Sequence, residues 1–242
     1  MTSLPMKRVI AALLLLLAPP ATAQMRIQHE AVSHITVLVD LSGSWLNQRE
    51  KPLDQHALRA TALTITQLVP ELTPPVIIRY LEIGDGSLSQ PPLCQARFSP
   101  NIFGAASSKG TFAKIGALSD FLIERCDRFI LMHEAQPLTD IVGAFNSVSL
   151  MNANDMPGYH GVIALSDFIE DRGRHRPVRL RTLRGVHVLM LYRAQQQDRF
   201  NERGLLARIT AWKQRLTSVG AHVSAVDDAY LEPAELERLL LK

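Results

Sequence analysis

The residues best placed to do chemistry lie in Asp40-Leu41-Ser42-Gly43-Ser44. One carboxylate and two short hydroxyls fall within five positions, just after the aliphatic run His34-Ile35-Thr36-Val37-Leu38-Val39. Hard divalent cations take oxygen ligands, and this donor set suits Mg²⁺ or Mn²⁺. Three oxygens are too few for an octahedral ion, so other loops have to contribute. Thr139, in Pro137-Leu138-Thr139-Asp140, and Asp167, in Leu165-Ser166-Asp167-Phe168, are the candidates.

The elements that must position these residues follow from periodicity. Aliphatic and β-branched runs predict strands at His34–Asp40, Val76–Ile83, Tyr159–Asp167, Val186–Tyr192 and His222–Val226. Helical spacing predicts helices over Asp54–Val69, from about Phe112 or Leu118 to Met132, over Asp140–Met151, over Arg199–Val219 and over Pro233–Leu241. In the second of these, Leu118, Phe121, Leu122, Arg125 and Phe129 recur at helical spacing. Between Ser87 and Gly110 the pattern dissolves into Pro, Ser, Gly and Asn and predicts a long irregular excursion. Strands alternating with helices imply crossover connections. The expected fold is α/β: a doubly wound, mostly parallel sheet flanked by helices, with ligands beyond the carboxyl ends of the strands.

With that placement the set resembles the metal-ion-dependent adhesion site of von Willebrand factor A-type domains. The motif there is Asp-x-Ser-x-Ser after the first strand, a distant Thr, and an Asp after the fourth strand. Asp40, Ser42 and Ser44 match the first element, Thr139 the second and Asp167 the third, and the resemblance covers Ile35 to Leu241. It implies a Rossmann-like von Willebrand factor A-type fold in which the serines and the Thr ligate Mg²⁺ (or Mn²⁺) directly. The carboxylates would act directly or through water, and an acidic residue of a protein partner would complete the shell. Two features depart from the pattern. The stretch between the second strand and Thr139 is long, with no readable third core strand, which leaves that strand at the sheet edge or replaced. Phe168, rather than a small residue, follows Asp167.

Simpler readings stand beside these. Asp40, Ser42 and Ser44 could cap the following helix, since Asp and Ser favour that position; capping would not account for Thr139 and Asp167. Trp45 is either a ligand contact or an aromatic packed under the loop. Arg172, Arg174, Arg176, Arg179, Arg181 and Arg184 crowd the segment after Asp167. They form either a rim for an acidic partner or anionic surface, or a solvated stretch beside Glu170 and Asp171. His175 and His187 read as a surface and a strand residue. Enzyme classes find little support. Ser42 stands where an aspartyl phosphatase would need a second Asp, and Ser44 lacks the Gly-x-Ser-x-Gly surroundings of a nucleophile elbow. No Gly-rich phosphate loop and no His-Glu-x-x-His occur.

The first residues bear on the compartment. Lys7 and Arg8, the apolar run Val9–Leu17 and the small residues Ala21-Thr22-Ala23 read as a signal peptide over residues 1–23, cut before Gln24. The alternative is an uncleaved anchor, for which the apolar run is short of the roughly 20 residues that span a bilayer. Residues 24–242 then form a von Willebrand factor A-like domain in a periplasmic or secreted protein. The 26 basic and 23 acidic residues give a net +3. Removing Lys7 and Arg8 leaves 24 against 23, or +1, which is no basis for nucleic-acid binding. In an exported chain Cys94 and Cys126 either form a disulfide or leave Cys126 as a small buried residue on a helix. The function expected is a non-enzymatic module that binds a cation and, through it, a carboxylate of a partner. The alternatives are a structural or assembly part of an envelope or secretion apparatus with a degenerate site, and a metal-dependent hydrolase.

Overall fold

The computed structural model describes residues 31–43, 45, 51–99, 108–154, 158–173, 178–194, 198, 201–228 and 232–241, with the side chains of 51–54, 108–112 and 154 not described. The leader, Gln24, Ser44, Arg174, His175 and Arg176 therefore lie outside the described residues.

Six strands form one sheet: β1 (Ser33–Asp40), β2 (Val76–Ile83), β3 (Cys94–Phe98), β4 (His160–Ser166), β5 (Val186–Tyr192) and β6 (His222–Asp227). Their order is β3-β2-β1-β4-β5-β6, and every neighbouring pair is parallel except β2 with β3. This is the doubly wound α/β sheet that the sequence predicts. Every residue of β1 is buried, as expected of a strand covered on both faces.

The helices are α1 (Lys51–Leu68), α2 (Ser108–Phe121), α3 (Arg128–Leu131), α4 (Ile141–Asn154), α5 (Glu202–Ser218) and α6 (Pro233–Leu240). Ile35, Val37 and Val39 point to one face of β1, where they meet Leu58, Ile65 and Leu68 of α1 and Leu236 and Leu240 of α6. Leu38 points to the other face and joins Phe145 and Val148 of α4 and Ile209, Trp212 and Leu216 of α5. The chain steps outward from β1 through β2 to β3, then returns to the middle and steps the other way through β4. The order reverses between β1 and β4, where open sheets of this kind form a ligand crevice.

Two elements differ from the sequence reading. The third strand exists inside the expected irregular stretch: β3 pairs antiparallel with β2 at the sheet edge, so Cys94 lies on a strand rather than in a loop. Cys94 and Cys126 form a disulfide with a Cα–Cα distance of 5.6 Å. Secondly, Leu122–Asp127 winds as a π-helical segment between α2 and α3. A wider turn shifts every later residue around the axis. Arg125 and Phe129, which continue the inner face at regular spacing, are turned out to solvent, and Phe129 is 50 % exposed. Cys126, Asp127 and Ile130 face inward instead.

A candidate ion-binding site at the switch point

Asp40 ends β1 and its side chain is wholly buried. Oδ1 accepts a hydrogen bond from the Ser42 amide at 2.9 Å, and Oδ2 accepts one from the Ser166 hydroxyl at 2.6 Å. β1 and β4 pair in register as far as Val39 opposite Leu165. The next residues, Asp40 and Ser166, are therefore brought side by side. Asp167 follows at once, also fully buried, with Oδ1 accepting from the Ile169 amide at 2.8 Å.

The loop before α4 is tied to both of these strand ends. The Gln136 amide donates to the Leu41 carbonyl at 2.6 Å, and Ser42 and Gln136 form an isolated bridge. Farther along, Thr139 and Asp171 exchange backbone hydrogen bonds of 2.7 and 3.1 Å. Three loops thus converge on the switch point, carrying Asp40, Ser42, Thr139 and Asp167, all buried. Ser44 lies outside the described residues. Asp140 caps α4, accepting from the Gly143 amide at 2.9 Å, and its carboxylate lies 2.9 Å from Nε of Arg172. Among the described residues of the arginine-rich segment, Arg172 lies at this edge. Arg179 and Arg181 run alongside α4, where Asn146 binds the Arg179 carbonyl and the Arg181 amide.

Burial, and next the charge of Asp167, push the Asp40 carboxyl up to about 7, against hydrogen bonds from Ser166 and Ser42 that lower it. Two carboxylates close enough to repel, together with buried hydroxyls, are a donor set that a divalent cation neutralises. Among the described residues no three His, Cys, Asp or Glu side chains cluster as an ion site, so hydroxyls would have to supply the remaining ligands.

Residues that sequence reasoning missed hold the Asp167 turn. Phe168 adopts a left-handed backbone (φ 57°), costly for a bulky side chain. Its amide donates to Ser166 Oγ at 2.9 Å, and its carbonyl accepts from Trp212 Nε1 at 3.0 Å. One turn earlier in α5, Arg208 Nε donates to the Asp167 carbonyl at 3.0 Å while its terminal nitrogens grip Asp198 at 3.1 and 2.7 Å. Three residues beyond Trp212, Arg215 contacts Glu170 at 3.4 Å, and Glu170 in turn accepts from the Val142 amide of α4 at 3.2 Å. Positions 208, 212 and 215 share one face of α5, so that face clamps the turn. Their spacing is visible in the sequence; their target is not. Trp212→Phe removes the bond to the Phe168 carbonyl and should cost about 1–2 kcal/mol in chemical denaturation. Unchanged stability would show that the clamp contributes nothing. Trp45 is the packed aromatic of the two readings: it is fully buried, with the Arg193 guanidinium 5.2 Å from its ring.

No protein-family model and no curated protein matches the sequence. Similar solved structures include the pilus adhesin SpaC from Lactobacillus rhamnosus GG, 13 % identical over 88 % of this chain and 31 % of the adhesin, with a TM-score of 0.48. A von Willebrand factor type A protein from Catenulispora acidiphila is 11 % identical over 86 % of this chain and 41 % of its own, at 0.43. Manganese-loaded TRAP protein from Plasmodium vivax is 13 % identical over 87 % of this chain and 62 % of its own, at 0.30. The chain spans less than two thirds of the length of each of these three proteins. The likeness to these structures is one of architecture, a mostly parallel sheet flanked by helices.

Proposed function

We propose that the chain is a non-enzymatic binding module that holds Mg²⁺ or Mn²⁺ with Asp40, Ser42, Ser44, Thr139 and Asp167 and, through the ion, takes a carboxylate from a protein partner. The observation that carries this reading is the pair of fully buried carboxylates, Asp40 and Asp167, meeting at the switch point beside buried hydroxyls. Bringing like charges together away from water is costly unless a cation offsets it. The ion would act as a Lewis-acidic link to the partner's carboxylate. The chain's own part is to fix the ligand loops, through the β1–β4 register, the Gln136 and Thr139 bridges and the α5 clamp. With a leader over residues 1–23 and the binding domain over 24–242, we place the protein in the periplasm or outside the cell.

A second reading is supported by one observation: both Asp40 oxygens already accept hydrogen bonds within the protein. On that reading the site is degenerate and the fold serves as a structural part of a larger assembly. Calorimetric titration of Mn²⁺ and Mg²⁺ into chelator-treated protein separates the two. Saturable heat in the wild type, absent in a folded Asp40→Ala variant, is the expected result. No heat and no thermal shift with either ion would overturn the ion-binding reading.

A further inference from the structure

β3 ends the sheet, and among the described residues no strand pairs with its outer side. Alternate backbone groups of such a strand face away from the sheet and are available to another chain. Three adjoining cavities run along this edge. The first, about 430 Å³, lies between the Gln95–Ser99 backbone and Lys114, Leu118 and Phe121. The second, also about 430 Å³, lies between Leu93 and Cys94 and the residues Phe121, Arg128, Phe129 and Met132. The third, about 570 Å³, takes in Leu93, Phe129, Glu82, His133 and Gln136. Phe121 is common to the first two, and Leu93 and Phe129 to the last two, so they form one continuous groove. It ends at Gln136, whose amide is bonded to Leu41 in the loop that carries Ser42.

The two walls are fixed. The Cys94–Cys126 disulfide joins β3 to the π-helical segment, so the groove is formed before anything enters it. That segment also turns Phe129 (50 % exposed) and Met132 (73 % exposed) toward the opening, a large apolar surface to leave in water. Charge selects the occupant of the first two cavities, where Arg97, Lys114, Arg125 and Arg128 stand against Glu124. The third carries Glu82 and Asp85 beside His133, so the acidic part of the occupant belongs to the first two.

From this edge, groove and charge we infer that β3 and the α2–α3 helical wall dock an extended, acidic segment of a partner protein, which adds to the sheet as a further strand. Main-chain hydrogen bonds to β3 supply affinity. Apolar side chains of the segment cover Phe121 and Phe129, and its carboxylates meet Arg97, Arg125 and Arg128. This surface is separate from the switch-point site and does not depend on an ion there.

The test uses two fluorescein-labelled twelve-residue peptides, one alternating Val with Glu and one alternating Val with Lys, titrated with the full protein in the presence of chelator. Binding of the Val–Glu peptide at least tenfold tighter than that of the Val–Lys peptide is expected, and it should persist in Asp40→Ala. The double variant Arg97→Glu/Arg128→Glu should abolish that preference, and Phe129→Ser should weaken binding at least fivefold. Both variants alter exposed residues, and circular dichroism checks that they fold. Hydrogen exchange should show the outward-facing amides within Cys94–Phe98 becoming protected when the peptide binds. Equal binding of the two peptides, or binding without that protection, overturns the inference. So does slow exchange of the outer β3 amides before any peptide is added, which would mean the chain covers its own edge. A dimer that Phe129→Ser dissociates would replace the partner with a second copy and overturn it too.

Discussion

Replacing Asp127 by Asn should stabilise the protein at pH 8 by up to about 4 kcal/mol and leave its stability at pH 4 nearly unchanged. Asp127 closes the π-helical segment with 4 % of its surface exposed, and neither carboxylate oxygen has a hydrogen-bond partner among the described residues. Burial raises its pKa from 3.8 to about 7. The sign follows from comparing the two states. Above pH 4 the unfolded chain releases this proton freely, while the folded chain keeps it until about pH 7. Folding therefore takes up a proton across that window, and stability falls as pH rises from about 4 to about 7, then levels off. The magnitude is the gap between 3.8 and about 7 at about 1.4 kcal/mol per pH unit. Asn keeps the shape and cannot ionise. Urea denaturation of both proteins at pH 4 and pH 8 measures the difference. An equal effect of the substitution at the two pH values would show that Asp127 does not titrate in this range.

The same residue marks the limit of what the sequence discloses. Its neighbours Leu118 and Leu122 announce a helix, and they are buried as their spacing requires. A π turn is not written in that spacing. It coincides with the disulfide at Cys126, and it turns Phe129 out while taking Asp127 in. β3 is unreadable for another reason. Cys-Gln-Ala-Arg-Phe alternates as a strand covered on one face should. It has no β-branched residue, however, and is only five residues long within a Pro- and Ser-rich stretch, so the signal does not stand out. The central strands, buried on both faces, show as unbroken aliphatic runs, so the doubly wound sheet and the edge that carries Asp40 were legible. Thr139 was legible as a residue leading into a recognisable helix, and Asp167 as one ending a recognisable strand. Ser166 was not, because its place opposite Asp40 depends on the β1–β4 register. Nor was the α5 clamp, since nothing local tells Arg208, Trp212 and Arg215 which turn they will hold.

If the switch point binds an ion, affinity should fall as the solution becomes more acidic, through Asp40. Its carboxyl, raised by burial and by Asp167 to about 7, holds a proton in the metal-free protein below that pH. An ion must displace that proton, so each pH unit below about 7 costs about tenfold in apparent affinity. From pH 8 to pH 5.5 the expected loss for Mn²⁺ is about thirtyfold, and above pH 8 the affinity should level off. Metal-free stability should move in the opposite sense. As for Asp127, a raised carboxylate favours the folded state at low pH and loses that advantage between about 4 and about 7. Added ion should therefore raise the unfolding temperature most at pH 8 and least near pH 5.5. Ser166→Ala sharpens the test. It removes the hydroxyl that donates to Asp40 Oδ2 at 2.6 Å and favours the ionised form. The midpoint of the pH dependence should consequently shift upward; the Asp167 turn loses the acceptor of the Phe168 amide but keeps its bonds from Trp212 and Arg208. Manganese titrations at pH 5.5, 7 and 8 on wild type and Ser166→Ala read both effects. A pH-independent affinity would mean that Asp40 is already ionised in the metal-free site, with another group offsetting the Asp167 charge. An unmoved midpoint in Ser166→Ala would remove Ser166 from the site's electrostatics.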